Sequence, residues 1–148
     1  MVTSTSPPAA TCLALTTAIS KSRTVEEIYE AALDALEAGL GVERASILLF
    51  DPDGVMRFKA YRGLSDVYRR AVEGHTPWRP DSPDPQPIWV SDVAADPSLA
   101  PYARTFAAEA IAALAFIPLI SLDRVIGKSC SITAFRPPQR VRFCNSRA

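Results

Sequence analysis

The chain has 148 residues, 48% of them hydrophobic and 22% charged, and its formal net charge is zero. This length fits one domain that buries a substantial apolar core. The balanced charge gives no electrostatic reason to expect binding to nucleic acid or to an acidic membrane surface. Three cysteines at unrelated spacings form neither a disulfide framework nor a metal site, which favours a cytoplasmic location.

The apolar segments of the sequence are too short to cross a membrane. The longest of them, residues 107–122, is interrupted by Glu109 and Pro118, whereas a spanning helix needs about 20 mostly apolar residues. The N-terminus also lacks the basic start and apolar core of a secretory signal. We therefore expect no membrane partner.

The N-terminal part of the chain predicts a disordered lead-in followed by two helices. Residues 1–11 are mostly Ser, Thr, Pro and Ala and have little to bury. A first helix is predicted over residues 12–22. The second begins at a capping box, in which the Thr24 hydroxyl accepts from the Glu27 amide and the Glu27 carboxylate reaches back to the start of the helix.

Two strands joined by a tight turn come next. Residues 45–50 are a nearly continuous apolar run, which predicts a strand covered on both faces. The sequence Asp51-Pro-Asp-Gly54 is a strong turn signal, and it leads into a second strand over residues 55–61. The alternation of that strand places three side chains on one face, namely Met56, Phe58 and Ala60.

The middle of the chain predicts short helices around an extended loop. Residues 64–72 allow one or two helical turns, and five prolines within residues 76–87 exclude a regular helix or a central strand. A short strand is predicted over residues 88–90. A further helix over residues 98–109 starts directly after Pro97.

The C-terminal half ends in a pair of strands. Residues 112–120 and the strand from Val125 onward are predicted to pair antiparallel around a turn at residues 121–124. Helices segregated around an antiparallel sheet are an α+β architecture.

Three spaced segments belong together: Arg44-Ala-Ser-Ile-Leu-Leu-Phe-Asp-Pro-Asp-Gly54, Ile88-Trp-Val-Ser-Asp-Val-Ala-Ala-Asp-Pro97 and Ala112-Ala-Leu-Ala-Phe-Ile-Pro-Leu-Ile-Ser-Leu-Asp-Arg-Val-Ile-Gly-Lys128. Their order and spacing resemble a GAF domain, the small-molecule-sensing module of many signalling proteins. The resemblance covers roughly residues 13–128 and implies a GAF/PAS-like central antiparallel β-sheet flanked by helices. The two N-terminal helices would pack on one face, and residues 64–109 would roof a cavity on the other.

The sequence offers no set of residues for catalysis, for a metal or for a cofactor. The single histidine, His75, has no second ligand at metal-binding spacing and is expected to face solvent, while Cys12 is expected to be a small buried residue. There is no Gly-x-Ser-x-Gly nucleophile elbow and no glycine-rich phosphate loop. Aspartates at strand ends and turns commonly accept from their own backbone, and we expect this of Asp51, Asp53, Asp92 and Asp96.

Three specialised activities of GAF relatives need residues that this chain lacks. Bilin-binding relatives attach their chromophore through a cysteine, often beside a histidine, but His75 lies between Gly74 and Thr76. Relatives that reduce methionine sulfoxide use cysteines within the fold, and none occurs in residues 45–128. Relatives that bind cyclic nucleotides carry an asparagine in their signature, whereas the only asparagine here is Asn145.

The resemblance places the candidate ligand site between the sheet and its roof. A concave apolar pocket with a few polar groups is the usual way to hold a small ligand. Arg104 would meet an anionic group there, and Asp92 is the other polar candidate. The apolar candidates are Trp78, Trp89, Tyr102 and Phe106 from the roof, with Leu114 and Phe116 from the sheet. The alternative is that these side chains simply fill the core.

From these features we predict a non-catalytic regulatory domain that senses a small molecule in bacterial signal transduction, of the sensor histidine kinase type. Two alternatives stay open: a small enzyme that uses the same cavity, such as a redox or reductase activity, and a dimerisation module with no ligand. GAF-like domains often pair through their terminal helices, so we expect a homodimer. The N-terminal stripe that pairing would bury comprises Leu15, Ala18, Ile19 and Ser22.

The last twenty residues do not continue the GAF-like pattern. That pattern requires the strand at Lys128 to continue as an apolar run, followed by a loop and a closing helix. Residues 129–148 instead carry four arginines, no acidic residue and Pro137-Pro138. We therefore assign the domain to residues 12–128 and interpret residues 129–148 as an aberrant tail, from a frameshifted or truncated gene. A natural divergent tail is the alternative.

Overall fold

A computed structural model describes residues 7–133 of the chain. Five antiparallel strands form one sheet in the order β2-β1-β5-β4-β3, which confirms the α+β prediction. The helices are α1 (Pro7–Lys21), α2 (Val25–Leu40), α3 (Asp66–Val72), the 3₁₀ helix η1 (Pro97–Tyr102) and α4 (Ala103–Ala108). The strands are β1 (Arg44–Phe50), β2 (Met56–Arg62), β3 (Ile88–Val90), β4 (Ala113–Ser121) and β5 (Arg124–Thr133).

The N-terminal helices differ from their predictions in two details. Helix α1 already begins at Pro7, so residues 7–11 are helical instead of a disordered lead-in, because proline suits a first helical turn. The Thr24 hydroxyl accepts from the Glu27 amide at 3.3 Å as expected, but the Glu27 carboxylate accepts from the Arg23 amide at 2.7 Å. Of the helices within residues 7–133, none is long and apolar enough to span a membrane.

Helix α2 covers one face of the sheet, and α1 packs against α2. The core on this face, called here the helix-side core, consists of Leu33, Val42, Ala45, Ile47 and Ala60. Arg62 of β2 fastens the same helix at the surface, where its guanidinium lies 2.9 Å from Glu30 and 2.7 Å from Asp34. The predicted packing on one face of the sheet is therefore confirmed for α2, whereas α1 lies on α2.

The opposite face carries a larger core beneath α3, η1, α4 and the loop of residues 73–87, which together are called here the roof. Its buried members include Tyr68, Trp78, Phe106, Phe116 and Cys130. The loop is tied to the sheet at two backbone positions. The Gly74 amide donates to the Met56 carbonyl at 2.9 Å, and the Val125 amide donates to the Pro80 carbonyl at 3.2 Å.

A β-bulge in the β1–β2 pair changes which side chains share a face. Ile47 lies opposite Ala60, but the next residue, Leu48, lies opposite Phe58, which leaves Lys59 as the extra residue. Ala60 consequently packs in the helix-side core and Phe58 against the roof-side core. The prediction that Met56, Phe58 and Ala60 share one face is wrong, since the sequence alternation does not reveal the bulge.

Strand β5 extends past the predicted end of the domain. Residues 129–132 pair with both neighbours and Thr133 pairs with β4, and Cys130 lies opposite Ser46 of β1 and Phe116 of β4. These five residues therefore complete the central strand. Residues 134–148, on which the frameshift interpretation also depends, lie outside the described residues.

The turn between β4 and β5 predicts a stabilising double substitution. Leu122 and Asp123 both have positive φ values, 48° and 59°, and Leu122 is 93% exposed. Such a two-residue turn favours Asn-Gly, which adopts these angles at lower cost. We expect L122N/D123G to raise the free energy of unfolding by about 1 kcal/mol, measured by urea denaturation.

A matched control separates the turn effect from the loss of an exposed leucine. The variant L122A removes the same side chain without supplying a residue suited to positive φ. It should show no gain in the free energy of unfolding. An equal gain in both variants would contradict the assignment to turn conformation.

Candidate ligand cavity

A narrow cavity opens between the roof and the middle of the sheet. Its empty space, including the open mouth, is about 330 Å³, while the interior is wide enough only for a water-sized group. Most of its wall is apolar and aromatic. The lining side chains are Ser46, Leu48, Phe58, Tyr68, Val72, His75, Tyr102, Phe106, Phe116, Lys128 and Cys130.

Strand alternation explains why polar and apolar groups meet on the cavity floor. Successive side chains of a strand point to opposite faces, so Lys128 and Cys130 of β5 lie on the same face. Cross-strand pairing adds their neighbours, because Ser46 lies opposite Cys130 on one side and Phe116 lies opposite it on the other. The floor therefore combines one cation with hydroxyl, thiol and aromatic groups.

Lys128 is the charged group of this floor. Its side chain is 4% exposed, and its ammonium donates to the His75 carbonyl at 2.7 Å. The Nζ atom also lies 4.5 Å from the centre of the Phe116 ring. No carboxylate within residues 7–133 lies in salt-bridge range of Lys128. A buried cation held by one carbonyl and a ring face is incompletely compensated.

Burial controls the protonation of the groups around this cation. Desolvation lowers the pKa of Lys128 to about 8 and raises the pKa of the Cys130 thiol to about 12. Burial also raises the pKa of Tyr68 and lowers the pKa of His75. At neutral pH the cavity therefore contains one positive charge, on Lys128, beside a neutral imidazole and a protonated thiol.

His75 corrects the expectation of a solvent-facing side chain. Its ring is partly buried and contacts the Tyr102 ring edge-on, with ring centroids 4.9 Å apart. Phe116 lies on another side, at 6.0 Å between centroids. Its position follows from the loop hydrogen bonds, because the neighbouring Gly74 amide is fixed to β2.

The structure brings together only some of the predicted site residues. Tyr102, Phe106 and Phe116 line the cavity. Trp78 and Leu114 are buried in the adjoining roof-side core. The remaining three lie elsewhere: Trp89 is 60% exposed, Arg104 is exposed, and the Asp92 carboxylate accepts from the Ala94 amide at 3.0 Å.

The polar floor of the cavity is absent from the sequence prediction. That prediction places Lys128 at the end of the domain, whereas the structure places it in the middle of β5, between β1 and β4. The available signal was its phase, since Lys128, Cys130 and Ile132 alternate along one strand and the other two are apolar. A lysine in phase with buried residues is unusual enough to indicate a special environment.

The carboxylates behave largely as turn residues. Asp53 accepts from the Val55 amide at 3.1 Å and Asp96 from the Ser98 amide at 2.9 Å, as predicted. Asp51 instead forms ion pairs with Arg57 at 2.8 Å and Lys59 at 2.6 Å.

Residues 7–133 contain no group of three or more His, Cys, Asp or Glu side chains that is arranged to hold a metal ion. Cys12 is exposed, contrary to the expected burial.

A hydrogen-bonded clasp holds the two roof helices beside β1. The Glu109 carboxylate accepts from both the amide and the hydroxyl of Ser65, the residue before α3, at 2.7 Å each. Arg44 of β1 donates to the Glu109 carbonyl at 2.6 Å and to the Ala110 carbonyl at 2.9 Å. The end of α4 and the start of α3 are thus fixed to the same strand.

Comparison with known proteins identifies this architecture. The family model for the GAF domain matches residues 22–139. The chain belongs to the GAF domain family. The match extends past Lys128, where the sequence resemblance ended. No curated protein matches the chain significantly.

Solved structures agree with the family assignment. A domain assigned to a two-component sensor histidine kinase of Sinorhizobium meliloti 1021 is 44% identical, with a TM-score of 0.69, and the match covers 84% of this chain and 81% of that one. The GAF domain of an Acinetobacter phosphoenolpyruvate-protein phosphotransferase is 13% identical, with a TM-score of 0.63 over 89% and 78% of the two chains. A phycocyanobilin-bound GAF domain of a cyanobacterial phytochrome is 16% identical, with a TM-score of 0.64 over 90% and 84%. The latter two show a shared fold.

Because Lys128 is buried, its contribution to the stability of this GAF domain changes with pH in the alkaline range. The pKa of Lys128 is about 8 in the folded chain against an ordinary value of 10.5, so between these pH values the unfolded chain binds more protons. The Lys128 contribution to the free energy of unfolding therefore rises with pH from about 8, by up to about 1.4 kcal/mol per pH unit.

The measurement is urea unfolding of the wild type and of Lys128→Met between pH 7 and 9. The difference, wild type minus variant, should increase by about 1 kcal/mol over this range. Cys130 and Tyr68, whose raised pKa values reduce stability as pH increases, are present in both proteins, so their effect largely cancels in this difference. A difference that does not change with pH would contradict a buried, charged lysine.

Proposed function

We propose that this GAF domain is a non-catalytic regulatory module that binds a small molecule in the roof cavity and controls an output domain of a bacterial signalling protein. The observation that carries the proposal is the cavity itself, with an incompletely compensated buried cation at its floor. A cation at 4% exposure is costly to maintain in an apolar core. Perturbed ionisable groups in a cleft are typical of functional sites.

The comparisons support the signalling context. The relative that is 44% identical is a domain assigned to a two-component sensor histidine kinase. A domain of a methyl-accepting chemotaxis protein, 21% identical with a TM-score of 0.60, has the same fold. We therefore favour a histidine kinase as the output, with ligand acting through different affinities for two states of the domain.

The cavity chemistry favours binding over turnover. A reactive cysteine needs a lowered pKa, but burial raises the pKa of Cys130 to about 12. The His75 imidazole contacts the aromatic rings of Tyr102 and Phe116. Within residues 7–133 it has no hydrogen bond to a carboxylate that would orient it as a general base. A redox or reductase activity therefore has weaker support than sensing.

Assembly through the N-terminal helices is part of the proposal, as is a cytoplasmic location. Within the predicted stripe, Leu15 and Ala18 line a groove between α1 and α2, whereas Ile19 is 40% exposed. Leu13 of α1 is 67% exposed, and Leu40 at the end of α2 is 52% exposed. Pairing with a second copy would cover these apolar side chains.

The assembly proposal predicts a dimer mass in light scattering at micromolar concentration. Replacing the exposed apolar pair in L13E/I19E should shift the mass to that of a monomer, because two charges would be buried in the contact. The control L122E changes a 93% exposed leucine on the β4–β5 turn and should leave the dimer intact. A monomer mass for the wild type would end this proposal.

The sensing proposal predicts that a cavity-filling substitution abolishes ligand binding. Val72, at the end of α3, lines the cavity, whereas Val67 on the same helix is 76% exposed. A thermal-shift screen of the wild type against nucleotides, tetrapyrroles, amino acids and organic acids should reveal a stabilising compound. That compound should raise the melting temperature of Val67→Phe as much as that of the wild type. It should raise the melting temperature of Val72→Phe by less than a quarter of the wild-type shift.

Equal stabilisation of the two phenylalanine variants would place the ligand outside the cavity and contradict the proposal. Chemical conversion of a bound compound, followed by mass spectrometry, would favour the enzyme alternative. If no compound from the four classes stabilises the wild type, a dimerisation module without ligand becomes the better interpretation.

A further inference from the structure

We propose that the cavity selects a small monocarboxylate with an apolar, planar body, whose carboxylate pairs with the Lys128 ammonium. This inference rests on the proposed sensing function and adds the chemical class of the ligand. It is carried by the position of one buried cation among aromatic walls.

The bonding capacity of Lys128 is only partly used. An ammonium group has three N–H donors, and one of them is used by the His75 carbonyl at 2.7 Å. The side chain is 4% exposed, so bulk water reaches it poorly. No carboxylate of residues 7–133 lies within salt-bridge range of Lys128. An anionic oxygen entering the cavity would therefore form a charge-assisted bond with little competition from water.

The charge of the cavity sets the number of charges that a ligand can carry. Lys128 is the only lysine or arginine that lines the cavity as described for residues 7–133. His75 faces it as a neutral ring, because burial lowers the pKa of this imidazole. One cation compensates one carboxylate, and a second carboxylate would remain buried without a partner. The cavity thus favours a monoanion over a dianion.

The aromatic walls of the cavity favour a planar, apolar ligand body. Aromatic rings from both the sheet and the roof surround the cavity, and they offer faces and edges to a planar group. They belong to Phe58, Tyr68, Tyr102, Phe106 and Phe116. Since the interior is only wide enough for a water-sized group, a larger body requires roof side chains to move. Small carboxylates therefore suit the site better than nucleotides or tetrapyrroles.

Lys128 also links ligand binding to the position of the roof. The bond from Lys128 to the His75 carbonyl joins β5 to the roof loop. A carboxylate that shares the ammonium weakens this bond and enters beside His75 and Tyr102, whose rings lie 4.9 Å apart. Ligand binding and roof position are consequently coupled through one side chain.

The experiment is an NMR titration of the uniformly ¹⁵N-labelled chain with matched carboxylates and amides. Benzoate and benzamide share a planar body and differ in charge. Butyrate, butyramide and succinate carry one negative charge, no charge and two negative charges, respectively. For the wild type at pH 7 we expect benzoate to bind at least tenfold more tightly than benzamide, and butyrate more tightly than succinate. Lys128→Met should lose the preference for carboxylates, whereas Lys21→Met, which removes an exposed lysine, should retain it.

The same titration of the wild type at two pH values tests the charge pairing without relying on a variant that folds. Among residues 7–133, the ionisable groups that line the cavity with Lys128 are His75 from the loop, Tyr68 from α3, Tyr102 from η1 and Cys130 from β5. Since the pKa of Lys128 is about 8, raising the pH from 7 to 9.5 should weaken benzoate binding by more than tenfold. Binding of benzamide should change less than twofold over the same range.

The outcomes separate this inference from the sensing proposal. Amides that bind as tightly as carboxylates, or a carboxylate preference that persists in Lys128→Met or at pH 9.5, would overturn the charge pairing while leaving a ligand-binding cavity. Absence of binding by all five probes would overturn the monocarboxylate class. The sensing proposal would then be decided by the broader compound screen with the Val72→Phe variant.

Discussion

The close approach of β1 and β5 at Gly127 is the constraint on which the rest of the structure depends. A Cβ atom at this position would lie 2.1 Å from the Leu48 carbonyl oxygen and 2.6 Å from a methyl carbon of Leu49, so no larger residue fits without displacing backbone. The glycine allows the two central strands to pair through the middle of the sheet. The next residue, Lys128, is thereby placed on the roof face under Phe116, where its ammonium meets the His75 carbonyl.

The two faces of the sheet differ in how completely they are packed. On the helix side, small and aliphatic residues such as Leu33, Ala45 and Ile47 close directly against α2, and Arg62 links that helix to the sheet edge by ion pairs. On the roof side, large aromatic side chains come from short helices and a loop, which fit together less completely and leave a cavity. Short elements fixed by a few hydrogen bonds, as in the Glu109 clasp, can move with less loss of buried area than α2 can.

How much the sequence predicted depended on whether the information was local. The capping threonine at Thr24, the turn at residues 51–54 and the short strand Ile88–Val90 are written in neighbouring residues, and all three are present. The bulge at Lys59 and the placement of Lys128 depend on which strand lies alongside, so alternation within one segment could not reveal them. Residue type places Trp89 in the cavity, but it alternates along β3 with Ile88 and Val90, which pack on the roof side, so its side chain points to the other face and is 60% exposed.

These packing relationships give a physical route from the cavity to the N-terminal helices. Lys128 lies opposite Leu48 in the β1–β5 pair, and Leu48 lines the cavity floor. Its neighbour Ile47 points to the other face, where it packs in the same core as Leu33 of α2. The cavity floor and the core beneath α2 therefore depend on the same short stretch of backbone. Since a close-packed core resists continuous deformation, a ligand signal that used this route would have to move the floor and the packing under α2 together.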